Sequence, residues 1–471
     1  MKKIILILAY IMLGSVSGNA FIINVPGDYS GIQLAINAAS GGDTIVVEPG
    51  TYFENINFRG KNIVITSKFY LDDDYSFISS TIINGSTPSH PDTASCVIIS
   101  SGEDSTAVLQ GFTLTGGTGT AWQDIHGAGR YREGGGILIE LSSPTIRHNV
   151  IVDNEAINSA GLVSAGGGGI RIGDGNPRIL NNIIKSNQGK YGPGIVLNYT
   201  GAIVKNNVIA FNFGATSFNG GAGLWILSNL GTTPKIIENN TIIYNSSAAG
   251  TGGVMIWATT AILRNNIIWG NSSPTNSQIL TVGGGNADAS YCDIQGGYAG
   301  TGNIDQQPLY DSTNYYLSTS SPCIDMGDPD TQYNDPEDSN NPGSAEFPAH
   351  GTLRNDIGAY GGPGSEIIAN TVVFINNNGI QNVPEDFFLG QNYPNPFNPS
   401  TRINYSLFKQ AKVSIKVYDN AGREVSTLIN GVQSAGEYDI TFNSAGLAGG
   451  VYYYTLEAGD RRETRKMILL K

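Results

Sequence analysis

Charge is scarce in this 471-residue sequence, and what there is leans acidic: 26 Lys and Arg stand against 39 Asp and Glu, a formal net charge of −13. A polyanion such as DNA is repelled on average, which argues against nucleic acid as a partner. An acidic polysaccharide would need a local basic patch or a bridging cation. Three Cys are too few for a disulfide scaffold, although Cys292 and Cys323 share one segment and form a candidate pair. Cys96, in the strand-like run CVII, reads as a small core residue. Only four His occur, His90, His126, His148 and His350. No zinc spacing, phosphate loop, nucleotide-binding fingerprint or serine nucleophile elbow accompanies them. Long apolar runs are missing too. The one at Ile4 to Leu13 is too short to span a bilayer. Behind Lys2 and Lys3 and ahead of Gly18-Asn19-Ala20, it reads as a secretory signal peptide over residues 1–20. The expectation is an exported, soluble chain with no transmembrane segment once that peptide is removed.

Glycine is abundant, 62 residues, and it punctuates a repeat. The copies are GGGILIELSSPTIRHNVIVDN, GGGIRIGDGNPRILNNIIKSN, GPGIVLNYTGAIVKNNVIAFN, GAGLWILSNLGTTPKIIENNTIIYN and GGVMIWATTAILRNNIIWGN. The second Asn of each pair falls at Asn149, Asn182, Asn207, Asn240 and Asn266, in steps of 33, 25, 33 and 26 residues. A lone Asn follows at Asn154, Asn187, Asn212, Asn245 and Asn271. Stacking units of this size predict a solenoid. Ile137/Ile139, Ile170/Ile172, Ile195/Leu197, Leu224/Ile226 and Val254/Ile256 alternate with period two, so each pair shares a face of a strand. Three short strands per turn, each with inward Ile or Val, describe a prism. At its corners the paired Asn can take the left-handed conformation and hydrogen-bond along the stack. His148, in place of a first Asn, reads as a structural substitute.

On these residues the chain resembles the right-handed parallel β-helix superfamily of pectate lyases, whose Asn ladder occupies the same tight turn. The resemblance implies a right-handed coil. Weaker coils are expected over GDTIVVEPGTYFENINFRGKNIVITS, VLQGFTLTGG and ASYCDIQGG, so that the solenoid covers about residues 43 to 300. The opening VPGDYSGIQLAINAASGGDTIVVEPGTYFENI resembles the start of many secreted β-helix proteins. In it Ile32, Ala35, Ile36 and Ala39 predict a short plugging helix, with Ser30 as its cap. Residues 292–361 resemble the closing segment of such proteins. Seven acidic residues lie between Asp325 and Glu346, and Asp325, Asp328 and Asp330 are candidate Ca2+ ligands. A solvated acidic loop is the alternative, and Asp356 either joins the site or caps a turn.

A linker is expected over 362–385, and a small immunoglobulin-like β-sandwich over 386–471. Asn392, Tyr393, Pro394, Asn395, Pro396 and Phe397, then Gly422, VYYYTLEAG and KMILLK, resemble the C-terminal sorting domain of the type IX secretion system. That resemblance implies export across the outer membrane of a Gram-negative bacterium, then release or surface attachment.

Outward residues beside the inward pairs are Leu138, Glu140, Arg171, Val196, Asn198, Trp225, Met255 and Trp257, with Asp174 and Tyr199 just beyond. Trp on a rigid exposed sheet suits stacking against sugar rings. The loop from Thr118 to Glu133 reaches the same face and carries Trp122, Asp124, His126, Arg130, Tyr131, Arg132 and Glu133. For a uronan lyase, His126, Tyr131 or an Arg is the candidate base, and Arg130, Arg132 or Arg171 the group that neutralises the sugar carboxylate. For a glycosidase, Asp124, Glu133, Glu140 and Asp174 are the candidate carboxyls. The coils lack the pectate-lyase calcium-aspartate set with its downstream Arg, which counts against lyase activity.

The sequence therefore predicts an all-β protein of two parts. Residues 21–361 form the parallel β-helix with its capping helix and closing segment, and the sorting domain follows. It is read as a secreted or cell-surface monomer that processes polysaccharide, with His126, Tyr131 and Arg171 as candidate catalytic residues. Trp122, Arg130, Arg132, Glu140, Asp174, Tyr199, Trp225 and Trp257 are candidate substrate contacts. A non-catalytic carbohydrate-binding or adhesin-like surface protein is the alternative.

Overall fold

The computed structural model describes residues 20–72, 74–227, 235–275, 277–310, 315–368, 388–389, 392, 395–407, 411–433, 436–444, 446–458 and 461–470. The signal-peptide reading, except for Ala20, and most of the expected linker lie outside the described residues. No helix among the described residues is long and apolar enough to cross a membrane.

Inward β-branched residues drive the first part into three long parallel sheets of ten, nine and eight strands. Each turn of chain gives one short strand to each sheet, as Ile137–Glu140, Thr145–Arg147 and Val150–Val152 show. Register between turns is unbroken: Ile137 opposes Ile170, which opposes Ile195, which opposes Leu224. The three sheets enclose one core in which Ile139, Ile146, Ile151, Ile172, Ile179 and Ile184 are fully buried. This is a parallel β-helix. A fourth parallel sheet of two-residue strands, from Glu155–Ala156 to Ser246–Ser247, follows the lone Asn of four turns, Asn154, Asn187, Asn212 and Asn245. It falls in stretches that carry no apolar alternation.

The coil starts earlier than expected. Ile22–Val25 already pairs with Thr44–Val47, and the helix Ile32–Ala38 is inserted between them, with Ile32, Ala35 and Ile36 buried. Ser30 does not cap it. The Glu54 carboxylate accepts from the amides of Ile32 and Gln33 instead, at 2.9 and 2.8 Å. A charged acceptor from the next strand-turn thus satisfies the free amides of the first helical turn. The run VLQGFTLTGG supplies two strands, Val108–Gln110 and Thr113–Thr115, rather than one.

The two Asn of each pair divide the labour. The first position holds the left-handed backbone: φ is 51° at His148, 51° at Asn181, 54° at Asn206, 49° at Asn239 and 54° at Asn265. The second builds the ladder. Asn149 donates from its backbone and side-chain nitrogens to Asn182 Oδ1, and the pattern repeats through Asn207, Asn240 and Asn266. The lone Asn residues form a second ladder of the same design from Asn154 to Asn271. In the last coil Cys292 takes the ladder position, accepting from the Asn266 amide at 3.4 Å. It is therefore not paired with Cys323, whose thiol donates to Asp293. All three Cys are free and buried.

The closing segment runs back over the row of first Asn. Asp328 N donates to Asn265 Oδ1, and Asn239 donates to Asn355 and Asp356. Asn206 donates to the carbonyls of Ala359 and Gly361, and Asn181 to that of Gly364. His148 meets Glu366 at 2.7 Å. The tie points run past residue 361, where the linker was expected to begin.

Residues 388–470 form the expected β-sandwich. A four-stranded antiparallel sheet, ordered Glu424–Gln433, Ala411–Tyr418, Gly450–Ala458, Arg461–Leu469, accompanies a three-stranded sheet of Phe388–Leu389, Ser400–Leu407 and Gly436–Asn443. Phe397, Tyr405, Val413, Tyr454 and Met467 fill its core.

Candidate functional site

The outward column of the eight-stranded sheet exists in the expected register. Leu138 opposes Arg171, then Val196, Trp225 and Met255. It is not an exposed surface. Leu138, Val196 and Met255 are fully buried, and Trp225 is 5% exposed. Two features cover it. The loop at 118–133 is a β-hairpin, Gly119–Gln123 against Arg130–Glu133, with Trp122 opposite Tyr131. The turns before the next strands add Tyr191 and Phe218, and the Trp225 indole donates to the Phe218 carbonyl at 3.0 Å.

Between this cover and the sheet lies a cleft of about 200 Å3. Its walls are Tyr131, Tyr191, Tyr199, Phe218, Trp225 and Trp257; Asp124, Glu133, Arg171 and Asn198 supply its polar groups. The rings pack at steep angles: Tyr191 lies 5.3 Å from Phe218 at 80° and 5.2 Å from Trp225 at 57°.

Arg171 is 2% exposed and sits between two carboxylates. Its Nε is 2.9 Å from Glu133 Oε1 and its Nη1 is 2.9 Å from Glu140 Oε1. The Tyr191 hydroxyl also donates to Glu133. Gly173 makes room for this arrangement: a Cβ there would stand 2.3 Å from Glu140 Oε2 and 2.4 Å from Arg171 Nη1. Burial pushes the Glu140 carboxyl up to about 8, against the pull of Arg171 and with the help of Glu133. Burial also opposes the charge on Arg171, but the two carboxylates outweigh it and hold the guanidinium above its ordinary value. Tyr131 and Tyr199 are both raised, first by burial and then by nearby carboxylates.

The sequence-derived site residues separate into groups. Tyr131, Arg171, Tyr199, Trp225 and Trp257 come together around the cleft. His126 stands beside it, its Nε2 2.8 Å from Asp174 Oδ1 and its ring 4.1 Å from Tyr199. Glu140 is buried behind Arg171 and does not line the cleft. Trp122, Arg130 and Arg132 are not lining residues either. Arg130 and Arg132 both reach Asp92, and Arg132 also donates to the carbonyls of Pro91, Gly119 and Asn158, so they anchor the hairpin. Tyr191 and Phe218 are the wall residues that sequence reasoning missed. Each lies in the turn before a Gly-rich strand start, which is the one signal that marks them.

The Ca2+ reading is not supported. No group of three or more His, Cys, Asp or Glu able to hold a metal occurs among the described residues. Asp325 accepts from Thr352, Asp328 faces Arg264 and accepts from the Asp330 amide, and Asp330 caps Gln332. Asp356 accepts from the amides of Asp325 and His350. These carboxylates serve local backbone rather than a shared centre.

Residues 391–470 match the family described as the secretion system C-terminal sorting domain. No curated protein matches the chain. Among solved structures it is similar to a pectin methylesterase in complex with a hexasaccharide, at 12% identity over 63% of this chain and 94% of that one, with a TM-score of 0.28. It is also similar to pectin methylesterase PemA from Erwinia chrysanthemi, at 11% identity over 60% and 92%, TM-score 0.28. The PL6 family alginate lyase AlyGC follows, at 12% identity over 64% of this chain and 56% of that one, TM-score 0.22. None of these likenesses carries an activity across. The chain is a secreted or cell-surface protein, a parallel β-helix followed by a type IX secretion sorting domain.

Proposed function

We propose that the protein acts on a polysaccharide outside the cell and holds a sugar unit in the aromatic cleft. The observation that carries this reading is the cleft itself. Six aromatic side chains wall a cavity of about 200 Å3 whose polar groups include two carboxylates and an amide. Aromatic walls cover the apolar faces of a sugar ring, and a few polar groups fix its hydroxyls.

Hydrolysis fits this site better than β-elimination. A lyase needs a free cation for the uronate, whereas Arg171 is the lone cation lining the cleft among the described residues and is already paired with Glu133. Asp124 and Glu133 line the cleft and are the candidate pair for glycoside hydrolysis. His126 and Asp174 become positioning candidates beside Tyr199.

One observation favours the second reading, a non-catalytic binding surface. Glu133 is held by both Arg171 and Tyr191, an arrangement that suits a fixed wall. The test incubates the full chain with neutral, amino and uronic polysaccharides, following reducing ends, unsaturated products and tryptophan fluorescence. Reducing ends that vanish in Asp124→Asn and Glu133→Gln establish the hydrolase. Unsaturated products would overturn it in favour of elimination. Binding without turnover selects the binding surface, and no response to any glycan refutes both.

A further inference from the structure

We infer that the cleft selects a sugar unit carrying an ammonium group and rejects one carrying a carboxylate or sulfate. This rests on the saccharide reading above and names its substrate class.

Charge is the first argument. Among the described lining residues, Asp124 and Glu133 are acidic and Arg171 is the lone base. Arg171 and Glu133 cancel at 2.9 Å, which leaves Asp124 in excess. Glu140 behind Arg171 and Asp174 beside His126 add no positive charge. An entering anion meets carboxylate without a free cation, while an entering cation meets its counter-charge.

Ring chemistry is the second argument. Tyr131, Tyr191, Tyr199, Phe218, Trp225 and Trp257 line one small cavity, and the steep angles among Tyr191, Phe218 and Trp225 make its walls rather than a flat platform. A box of aromatic rings attracts a cation through the ring quadrupoles, most strongly where water is excluded.

The third argument is an unmatched acceptor. Asn198 lines the cleft, is 9% exposed, and its Oδ1 has no hydrogen-bond partner among the described residues. A buried carbonyl oxygen without a donor is costly, and a ligand N–H or O–H would satisfy it. An ammonium brings three donors; a carboxylate brings none.

The test measures binding of the full chain to a glucosamine hexamer, its N-acetylated counterpart and a galacturonate hexamer, by calorimetry at pH 6 and low salt. The glucosamine hexamer is expected to bind roughly tenfold tighter than the acetylated one, with the galacturonate weakest. Added salt should narrow the gap. Asp124→Asn keeps the oxygen that accepts from the His126 and Ala128 amides and removes the charge, so the preference should fall to about threefold. Equal affinity for the amine and the acetamide overturns the inference and leaves the saccharide reading standing. Tightest binding of galacturonate overturns it outright. Tetramethylammonium is the control without sugar. If it binds where no hexamer does, the cation preference holds and the saccharide reading falls; if nothing binds, both fall.

Discussion

Replacing Arg171 by Met removes the one cation from a buried group of two carboxylates while keeping most of the side-chain stem. Glu133 and Glu140 have side chains 5% and 2% exposed, and each lies 2.9 Å from the guanidinium. Breaking a buried ion pair from one side costs about 3–5 kcal/mol, because the remaining charge is left in a poorly solvated place. The cost depends on pH with a definite sign. Glu140 already titrates near 8 in the fold, above its ordinary 4.5, so it holds its proton more tightly folded than unfolded. Such a group loses stability as pH rises from the unfolded value through the folded one. Without Arg171 the charge that pulls Glu140 down is gone and its carboxyl is held still higher, so the deficit against the native chain widens, by up to about 1.4 kcal/mol per pH unit, once pH passes the native value near 8. Arg171→Met should therefore lose roughly 3–5 kcal/mol at pH 7, where the buried pair with Glu133 is broken from one side, and more at pH 9. Urea unfolding followed by circular dichroism at both values measures it. The double variant Arg171→Met/Glu133→Gln should recover more than half of the loss at pH 7. A deficit below about 1 kcal/mol at pH 7, or one equal at pH 7 and pH 9, refutes the reasoning.

The ladders should be equally sensitive to single changes. Asn207→Leu orphans the backbone amide of Asn182, at about 1–3 kcal/mol, while the Asn182 side-chain nitrogen keeps its bonds to Ile146 and Leu180, and it should lower the urea midpoint and open the coils to protease. In the closing segment, burial and neighbouring carboxylates push Asp335 up to about 8, and burial pushes Asp356 up to about 7, both from 3.8. Stability should accordingly fall between pH 4 and pH 8, giving a higher Tm at pH 5 than at pH 8, and Asp335→Asn should flatten that slope. Glu54→Ala removes the cap of the plugging helix. Amide exchange over Ile32–Ala38 should then quicken, at a cost of about 1 kcal/mol, while the central coils keep their protection.

Periodic features were legible in the sequence and contact-dependent ones were not. Ile137, Ile139 and their counterparts repeat with the strand period, so their burial and register follow from spacing alone. The Asn positions repeat with the coil, which marks them as corners. What covers a face has no period. Trp225 was read as exposed because its parity points outward, but Phe218 and Tyr191, from turns without a repeat pattern, close over it. Glu140 was read as a substrate contact for the same reason, and Arg171 was read without the partners that neutralise it. The acidic run suggested a cation because carboxylates that accept from backbone amides look the same in sequence as carboxylates that bind metal. Asp356 and Asp335 reveal their role only through amides brought near by the fold.

The tie between the closing segment and the row of first Asn turns the chain into its own gauge. Solenoids generally gain or lose a repeat at little cost, because each turn touches only its neighbours. Here Asn265, Asn239, Asn206, Asn181 and His148 are met in that order by residues 328 to 366. Each added coil would lengthen the stack by about 4.8 Å and leave a later tie point one rung short. The number of coils between His148 and Asn265 is thus written twice, once in the repeats and once in the strip laid along them. Evolution by simple duplication of a turn is closed to this stretch unless both copies of the count change together.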